Sequence, residues 1–471
     1  MNDPIQMQTP GSMSKLIILL QPKLTLFGAA GWVTLAFIIQ QVLRLGSSII
    51  LAWLLAPELL GTMLLINTLR TGVELLTDVG LGQSIVNNPR GGEPAFYNTA
   101  WTIQIVRGFL LFFVALALTL PIAEIYENQE LKYLLPVVAP IFFITGVMST
   151  SRFLLQKRME VRKLASFDLL AAIAGAVVQI AIVVYSPTIW GLIAALLASS
   201  AITTVASFYL IDWRDHKLQW DWDAVTSILF FGKWIFLSTL IFFFATNFDR
   251  LYFADAMPIA LLGVYGIART FSETIMLLFQ RIGSLVIFPK ISASALRGAE
   301  LRISIGPMRM TMLLVLATGL AAGISMADAF IFLVYDERYH AAGFFLTVLL
   351  FGTWFSTLAT ISDAMMMGIG KPSGVAVSNG IKLAILVATL PFVLANFGVN
   401  AAMGVFVFVE MVRYAALMLQ KRIQGIGFAR QDIVATTFFV ALAFLFRELS
   451  GIVGLTGGVS AWIAQASVPH V

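Results

Sequence analysis

Charged and amide side chains interrupt several long apolar runs of the sequence, and their spacing puts them on single helix faces. In the run at 58–86 these side chains are Asn67, Arg70, Glu74 and Asp78. Neighbours in this set lie three or four residues apart and share one side of a helix. The run at 259–288 has Arg269 and Glu273 four residues apart. Guanidinium groups bind phosphate oxygens and carboxylates can carry protons, so these faces offer anion binding or ion transfer.

Further polar side chains lie inside other apolar runs. The mid-run positions are Gln40, Gln41, Arg44, Asn247, Arg281, Lys382, Glu410 and Arg413. A second set lies nearer the run ends, where snorkelling of long side chains toward water explains charged residues. This set consists of Arg107, Arg152, Arg309 and Asp363. Only the mid-run positions are therefore taken as candidates for a site.

The runs that carry these residues belong to a chain too apolar for a soluble protein. Of its 471 residues 59% are hydrophobic and 12% are charged, against ~45–50% and ~25% in soluble domains. A spanning helix needs ~20 apolar residues, and twelve such runs occur between 27 and 420. Two weaker candidates follow at 431–449 and 451–467. The sequence predicts an all-helical, polytopic membrane protein with twelve to fourteen spans.

The distribution of basic residues predicts the orientation. With the N-terminus in the cytoplasm, cytoplasmic segments hold sixteen Lys and Arg residues and external segments hold four, a strong positive-inside bias. No signal-peptide pattern precedes the runs, and 13–26 is expected to be an interfacial helix. The predicted divisions are an N-terminal segment 1–26, an N-lobe 27–210, a cytoplasmic linker 211–226, a C-lobe 227–420 and C-terminal helices 421–471.

The two series of six runs resemble each other. Phe27-Gly28 opens the first series and Phe231-Gly232 the second, and each is followed by a Leu-Gly pair, 33 residues on at Gly61 and 31 residues on at Gly263. Six runs separate the copies, so both have one orientation. Unless the likeness arises by chance, it predicts two parallel six-helix lobes, related by a pseudo-two-fold axis along the membrane normal, with a substrate path between them.

Two readings compete for the charges inside the runs. In the first, each helix pairs its own charges, as Arg70–Glu74, Arg269–Glu273 and Glu410–Arg413. In the second, the charges line a solvated cavity. A charge at the bilayer centre costs ~2.5–3.5 kcal/mol, so both readings turn these residues away from lipid. Six mid-run cations against three mid-run carboxylates favour a cavity with surplus positive charge, which suits an anionic substrate.

Several kinds of chemistry are excluded. The chain has no cysteine, and its three histidines, His216, His340 and His470, lie outside the strongly apolar runs, so thiolate, haem and multi-histidine metal sites are not expected. The segment GIGKPS at 368–373 lacks the glycine spacing of a phosphate-binding loop. No loop is long enough to hold a soluble catalytic domain, and the basic balance is assigned to cytoplasmic loops rather than to nucleic-acid binding.

Several segments together resemble a known family. Residues 57–88 combine a Gly-then-acidic helix with an Asp-x-Gly ending, and residues 247–271 contain Asp-Arg and Leu-Gly-x-Tyr. The other matching segments are 152–170, 287–292, 333–349 and 365–383. In order and spacing over about 27–420, they resemble the polysaccharide transporters of the multidrug/oligosaccharidyl-lipid/polysaccharide exporter superfamily.

The resemblance implies a flippase for undecaprenyl-pyrophosphate-linked oligosaccharide in the bacterial inner membrane. It implies two six-helix bundles in a V shape, alternating access, an H⁺ or Na⁺ gradient and no other cofactor. The pathway's polymerase and glycosyltransferases are the expected partners, besides membrane lipids. By this resemblance the expected cavity cations are Arg44, Arg70, Arg269 and Lys382, and the coupling candidates are Glu74, Asp78 and Glu273.

The remaining polar positions complete the expected site. Arg281 and Arg413 are further cavity cations, Glu410 is a further coupling candidate, and Gln40, Gln41, Asn67 and Asn247 are cavity polar groups. Two alternatives stay open. A drug or small-cation extruder of the same superfamily would favour an acidic cavity. A membrane-embedded glycan polymerase or ligase would act without cofactors.

Overall fold

The predicted apolar runs fold as helices. The computed structural model describes residues 12–75, 80–212, 215–282, 291 and 298–460, and this part of the chain contains helices and no strand. The helices are α1 Ser12–Leu54, α2 Pro57–Leu75, α3 Leu81–Asn87, α4 Pro94–Ile125, α5 Leu131–Val138, α6 Pro140–Val147, α7 Ser151–Lys157, α8 Val161–Tyr185, α9 Ile189–Ser207, α10 Trp222–Ala256, α11 Ile259–Ile282, α12 Gly298–Val334, α13 Ala341–Gly368, α14 Pro372–Ile423 and α15 Ala429–Ile452.

Most of these helices are long enough to cross a bilayer. Within the described residues nine are sufficiently long and apolar, and the bent series α5–α7 makes a tenth span if it crosses as one unit. The 52 residues of α14 would measure ~78 Å at ~1.5 Å per residue, far more than one crossing needs. They divide at Gly398, whose φ of 78° interrupts the helix. The two halves, 372–397 and 399–423, correspond to the eleventh and twelfth predicted runs.

The start of the chain differs from expectation. The segment at 13–26, expected to be a separate interfacial helix, is continuous with the first spanning helix, since α1 runs from Ser12 to Leu54 without a break. At the other end, the thirteenth predicted run, 431–449, forms helix α15. Of the last candidate, 451–467, residues 451–460 are described and contain the end of α15 at Ile452 followed by turns, whereas 461–467 lie outside the described residues.

The helices form two groups that meet along α2 and α11. In the first group α1 packs on α8, α8 on α9 and α4 on α6. In the second, α13 packs on α11, α12 and α14, and α15 packs on α12. The closest contact between the groups is made by α2 with α11, and α10 also packs on α2.

The crossing of α2 and α11 shows the internal symmetry directly. A Cβ atom on Gly61 would lie 2.0 Å from the carbonyl oxygen of Ile259, and one on Gly263 would lie 2.0 Å from the carbonyl oxygen of Pro57. Ile259 follows Pro57 by the same 202 positions that separate Gly263 from Gly61. Reciprocal contacts of this kind are the signature of a two-fold axis. The repeated glycines are therefore the close-approach point of the two lobes.

Buried ion pairs fasten α15 to α12 at both of its ends. Near the α15 start, Arg309 of α12 lies 2.5 Å from Asp432. Near its end, Arg447 makes two contacts of 2.6 Å with the carboxylate of Asp328. Arg309 was expected to snorkel toward water, and that expectation is wrong because its side chain is 1% exposed. Its guanidinium group is turned inward by Asp432 and by the ring of Phe428, 4.8 Å away.

Candidate substrate and ion sites

A cavity of about 500 Å³ opens within the C-lobe, between α10, α11, α13 and α14. Its charged lining residues are Asp249, Arg269, Glu273, Asp363, Lys382, Glu410 and Arg413. Hydroxyl side chains from α10, α11 and α13 and the amide side chains of Gln280 and Asn379 complete the polar part of the lining. The cavity therefore brings Arg269 and Glu273 of α11 together with the predicted residues of both halves of α14.

On the α14 side of this cavity the charges are closely paired. The Nζ of Lys382 lies 2.5 Å from Oε1 of Glu410. Arg413 lies 2.6 Å from Asp363 and 3.5 Å from Glu410. Glu410 thus contacts two cations, one from each half of α14, and Arg413 links α14 to α13. Internal pairing of Glu410 with Arg413 is present, but the shorter contacts join separate helices or helix halves.

On the α10 and α11 side, arginines converge on Glu273. Arg269 lies 3.1 Å from this carboxylate and 3.7 Å from Asp249. Arg250 also forms an ion pair with Glu273, and it donates a hydrogen bond of 3.1 Å to Oδ1 of Asn247. Asp249 in turn accepts a hydrogen bond from the hydroxyl of Tyr265.

Arg44 reaches this group from the other lobe. Its side chain is exposed and donates a hydrogen bond of 2.5 Å to Oγ1 of Thr274, the residue next to Glu273. Because α1 belongs to the first group of helices, this bond connects the lobes. The Oε1 atom of the neighbouring Gln41 is buried without a hydrogen-bond partner, and Gln40 is half-buried. Arg44, Arg250 and Arg269 together form what we call the arginine cluster.

The predicted polar face of α2 is less tightly organised. Arg70 and Glu74 lie 3.8 Å apart within the same helix, as the internal-pairing reading expects, and Asn67 is half-buried. Asp78 lies outside the described residues. Arg107 of α4 donates a hydrogen bond to the backbone carbonyl of Glu74.

A smaller pocket of about 310 Å³ lies in the N-lobe. Glu74, Arg107 and Arg152 are among its lining residues, so the two arginines expected only to snorkel are pocket residues instead. Arg152 also lies 3.6 Å from Asp168. Arg281 lines neither of these two cavities, and its guanidinium group lies 5.9 Å from the ring of Phe37, between α11 and α1.

The expected surplus of positive charge is absent from the lining of the C-lobe cavity. Its charged lining residues are four carboxylates and three cations. The difference has two sources: Asp249 and Asp363 were not counted as mid-run charges, and three of the six counted cations do not line this cavity. Asp363 lies near the end of its run, but its helix turns it toward Arg413 rather than toward water. A lone acid in the apolar sequence ATISDAMMM (359–367) was the available signal.

Metal binding has little support in the described part of the chain. There, no group of three or more histidine, cysteine, aspartate or glutamate side chains is arranged to hold a metal ion. The carboxylates described above are each occupied by arginine, lysine or tyrosine.

A family model described as "Polysaccharide biosynthesis protein" matches residues 50–343, more than half of the chain. The chain belongs to this family. The match begins within α1, contains the α2–α11 crossing and ends at the start of α13. The match therefore includes Arg250 and Arg269 of the arginine cluster, whereas Arg44 lies before it.

Three curated proteins are similar to this family member. It is 23% identical to the teichuronic acid biosynthesis protein TuaB of Bacillus subtilis, over 67% of each chain. It is 20% identical to the lipopolysaccharide biosynthesis protein WzxC of Escherichia coli, over 66% of this chain and 63% of that one. It is also 23% identical to a putative O-antigen transporter of Shigella flexneri, over 47% of this chain and 53% of that one.

Solved structures establish the fold of the family member. The lipid II flippase MurJ in an inward closed conformation matches with a TM-score of 0.70 at 11% identity, over 90% of this chain and 99% of that one. An inward-facing MATE transporter of the MOP superfamily matches with a TM-score of 0.59 at 14% identity, over 86% and 95% of the two chains. The prediction of an all-helical membrane protein with two six-helix lobes and a C-terminal addition is confirmed.

Proposed function

We propose that this protein is a flippase for undecaprenyl-pyrophosphate-linked oligosaccharide in the bacterial inner membrane, with its N-terminus in the cytoplasm. The observation that carries the proposal is the arginine cluster. Arg250 and Arg269 share the carboxylate of Glu273, and Arg44 binds the adjacent Thr274 from the opposite lobe. Three guanidinium groups within reach of one another suit a diphosphate, which presents several oxygens for charge-assisted hydrogen bonds.

In this arrangement the carboxylate of Glu273 binds two of the arginine side chains that we propose for the diphosphate. In the absence of a diphosphate its carboxylate neutralises Arg250 and Arg269. Protonation of Glu273 removes that charge and releases both guanidinium groups for the phosphate oxygens. Binding of the lipid head group and protonation of the carboxylate are thereby linked, which is the thermodynamic requirement for coupling transport to a proton gradient.

The lobes supply the movement. Arg44 belongs to the first lobe and Arg250 and Arg269 to the second, so a diphosphate held between them contacts both. Close backbone contact at Gly61 and Gly263 provides a compact crossing about which the lobes tilt. The C-lobe carboxylates Glu410 and Asp363 are a second place for H⁺ or Na⁺ to act, because each is held by a cation that an entering ion would displace. Glu74 and Asp78 remain coupling candidates on α2.

A second candidate function has a specific observation in its favour. The C-lobe cavity is lined by four carboxylates and three cations, a balance that suits a small organic cation better than a diphosphate. An extruder of drugs or small cations would use this cavity and would leave Arg44 without a direct role. The two functions therefore make opposite predictions for substitution of Arg44.

The test uses purified protein in liposomes. Flipping of fluorescent undecaprenyl-pyrophosphate oligosaccharide is measured by the fraction that becomes accessible to a membrane-impermeant quencher. Arg44→Gln should lower the rate at least tenfold, since it removes a charge-assisted contact worth ~1.5–3 kcal/mol. Arg338→Gln is the matched control, because Arg338 is exposed and pairs with Asp336 in a loop, and it should transport at the wild-type rate.

Two results would contradict the proposal. If wild-type protein flips no lipid-linked oligosaccharide but moves a lipophilic cation such as tetraphenylphosphonium, the flippase proposal is wrong. Equal rates of lipid flipping by the wild type and by Arg44→Gln would reject the arginine cluster as the diphosphate site. The proposal further expects the glycosyltransferases and polymerase of a surface-polysaccharide pathway as partners.

A further inference from the structure

The segment that joins the two lobes lies extended across the start of α4 over residues 216–221 and ends at Trp222, the first residue of α10. We call residues 216–222 the linker strand, a name that refers to the extended backbone and not to pairing in a β-sheet. Its backbone N–H groups at alternate residues donate to side chains of α4, from Lys217 to Asn98 at 3.3 Å, from Gln219 to Thr102 at 3.1 Å and from Asp221 to Thr99 at 3.0 Å. Asn98 also donates 3.1 Å to the carbonyl of Asp215. The linker strand is therefore fixed to the N-lobe.

Both ends of the linker strand have additional contacts. The Nε2 atom of His216 lies 2.5 Å from Oγ of Ser149, and its ring packs edge-on against Trp101 at 5.5 Å. At the other end Asp221 accepts a hydrogen bond of 2.8 Å from Arg90. This hydrogen bond lowers the pKa of the Asp221 carboxyl below its usual range, so Asp221 is ionised at neutral pH and the contact persists.

The side chains of the linker strand alternate in polarity. Lys217, Gln219 and Asp221 are polar, whereas the residues between and after them are Leu218, Trp220 and Trp222. Successive side chains of an extended segment point to opposite faces, so one face is polar and the other is apolar. The three apolar side chains are exposed by 71%, 47% and 70%. The two tryptophan rings contact each other at 5.5 Å, and a continuous exposed apolar surface of this kind marks an interaction site.

The depth of the linker strand is set by α4. This helix has 32 residues, ~48 Å at ~1.5 Å per residue, whereas the hydrocarbon core is ~30 Å thick. The three α4 residues that hold the linker strand lie at 98–102, in the first turns of the helix, and the part of α4 without charged side chains begins a few residues later, at 108, and extends to 123. The linker strand therefore lies where α4 leaves the hydrocarbon core, the level at which tryptophan is enriched in membrane proteins.

Exposed basic residues surround the same end of the N-lobe. They are Arg158, Arg162, Lys163 and Lys217. Lys163 donates a hydrogen bond of 2.6 Å to the carbonyl of Leu210, which places the α7–α8 turn beside the chain that leads into the linker strand. Juxtamembrane basic residues attract anionic lipid head groups. The positive charge of these residues and the apolar face of the linker strand therefore both favour contact with an anionic lipid surface.

We propose that the linker strand is an interfacial membrane anchor whose Leu218, Trp220 and Trp222 insert into the head-group region of the adjacent leaflet, with anionic lipids bound by the neighbouring basic residues. Because the linker strand is hydrogen-bonded to α4, the anchor holds the N-lobe at a fixed depth in the bilayer. It also places the start of α10, at Trp222, at the lipid interface.

The absence of cysteine allows single spin labels to be placed without background. Leu218→Cys and Trp222→Cys report on the apolar face and Gln219→Cys, one residue away, on the polar face. Each full-length variant is labelled with a nitroxide and reconstituted in liposomes containing phosphatidylglycerol. Power saturation then compares collisions with oxygen, which concentrates in the bilayer, and with a water-soluble nickel chelate. The ratio of oxygen to nickel collisions should be severalfold higher at 218 and 222 than at 219.

Lipid composition provides the second measurement. Replacing phosphatidylglycerol by phosphatidylcholine should shift the labels at 218 and 222 toward water, since the basic residues lose their lipid partners. Equal collision ratios at 218, 219 and 222 in phosphatidylglycerol would overturn the proposal and leave the apolar face as a surface for a protein partner. A high ratio that does not change with lipid charge would refute the anionic-lipid part.

Discussion

The two lobes are similar in helix arrangement but differ in how their helices are packed. In the most apolar part of α13, at the centre of the C-lobe, 72% of the residues are buried, against 11% in α8 of the N-lobe. The ion pairs follow the same division. The pairs of Lys382 with Glu410 and of Arg413 with Asp363 measure 2.5 Å and 2.6 Å, whereas Arg70–Glu74 and Arg152–Asp168 measure 3.8 Å and 3.6 Å.

This difference shows that the two repeats share their helix arrangement but not the charged residues at equivalent positions. Position 67 of α2 corresponds to position 269 of α11 by the offset of 202 that relates the crossing glycines. The first holds an asparagine and the second holds the arginine that contacts Glu273 and Asp249. At this position the N-lobe has a neutral side chain, whereas the C-lobe has an arginine that belongs to an ionic network. We infer that the C-lobe is the structurally rigid, ion-responsive lobe and that the N-lobe supplies its partner surface.

The largest effect is expected at the buried pair that fastens α15 to the C-lobe. Arg447→Ala leaves the Asp328 carboxylate buried without its bidentate partner. Removal of one member of such a pair destabilises by ~3–5 kcal/mol. Thermal unfolding of the purified protein in detergent should show this as a large loss of stability. Replacing both members, as Arg447→Met with Asp328→Leu, should recover most of it, since no isolated charge remains. A single-variant loss below ~1 kcal/mol would mean that the pair is solvated.

An intermediate effect is expected where the lobes meet. Gly263→Ala places a methyl group 2.0 Å from the carbonyl oxygen of Pro57, so the helices must separate, at a cost of ~1–3 kcal/mol. Gly319→Ala is the matched control, because Gly319 lies inside α12 with open space around its Cβ position. That change should stabilise by ~0.5–1 kcal/mol through helix propensity. If both variants behave alike in thermal unfolding, the crossing is not closely packed.

Much of the architecture was visible in the sequence. In its described part, each apolar run between 27 and 449 corresponds to one helix, to one half of α14 or to a series of short helices, because length and hydropathy determine what crosses a bilayer. The glycines at 61 and 263 were recognised as repeated positions in the sequence, but their contact across the two lobes was found only in the structure. The orientation of the chain, predicted from the basic residues, remains a prediction.

The position of the cavity was harder to predict. Helical spacing shows that Arg269 and Glu273 share a face, but it does not show which helix that face meets. The predicted cavity lay between the lobes, whereas the 500 Å³ cavity lies within the C-lobe. Asp363 and Arg309 were both assigned to snorkelling by their distance from a run end. The position of a residue along a helix does not determine which side of the helix it occupies. Both side chains lie on the side that faces the protein interior.

The smallest effect is expected at the ion pair of Arg152 and Asp168 in the N-lobe. Both side chains are more than one third exposed, so water already screens the contact, and such pairs are typically worth ~0–1 kcal/mol. A double-mutant cycle with Arg152→Gln and Asp168→Asn should give a coupling energy within that range. The same cycle with Arg413→Gln and Asp363→Asn should give a clearly larger value, since those side chains are 10% and 15% exposed. Equal coupling energies in the two lobes would remove the distinction between a rigid C-lobe and a loosely paired N-lobe.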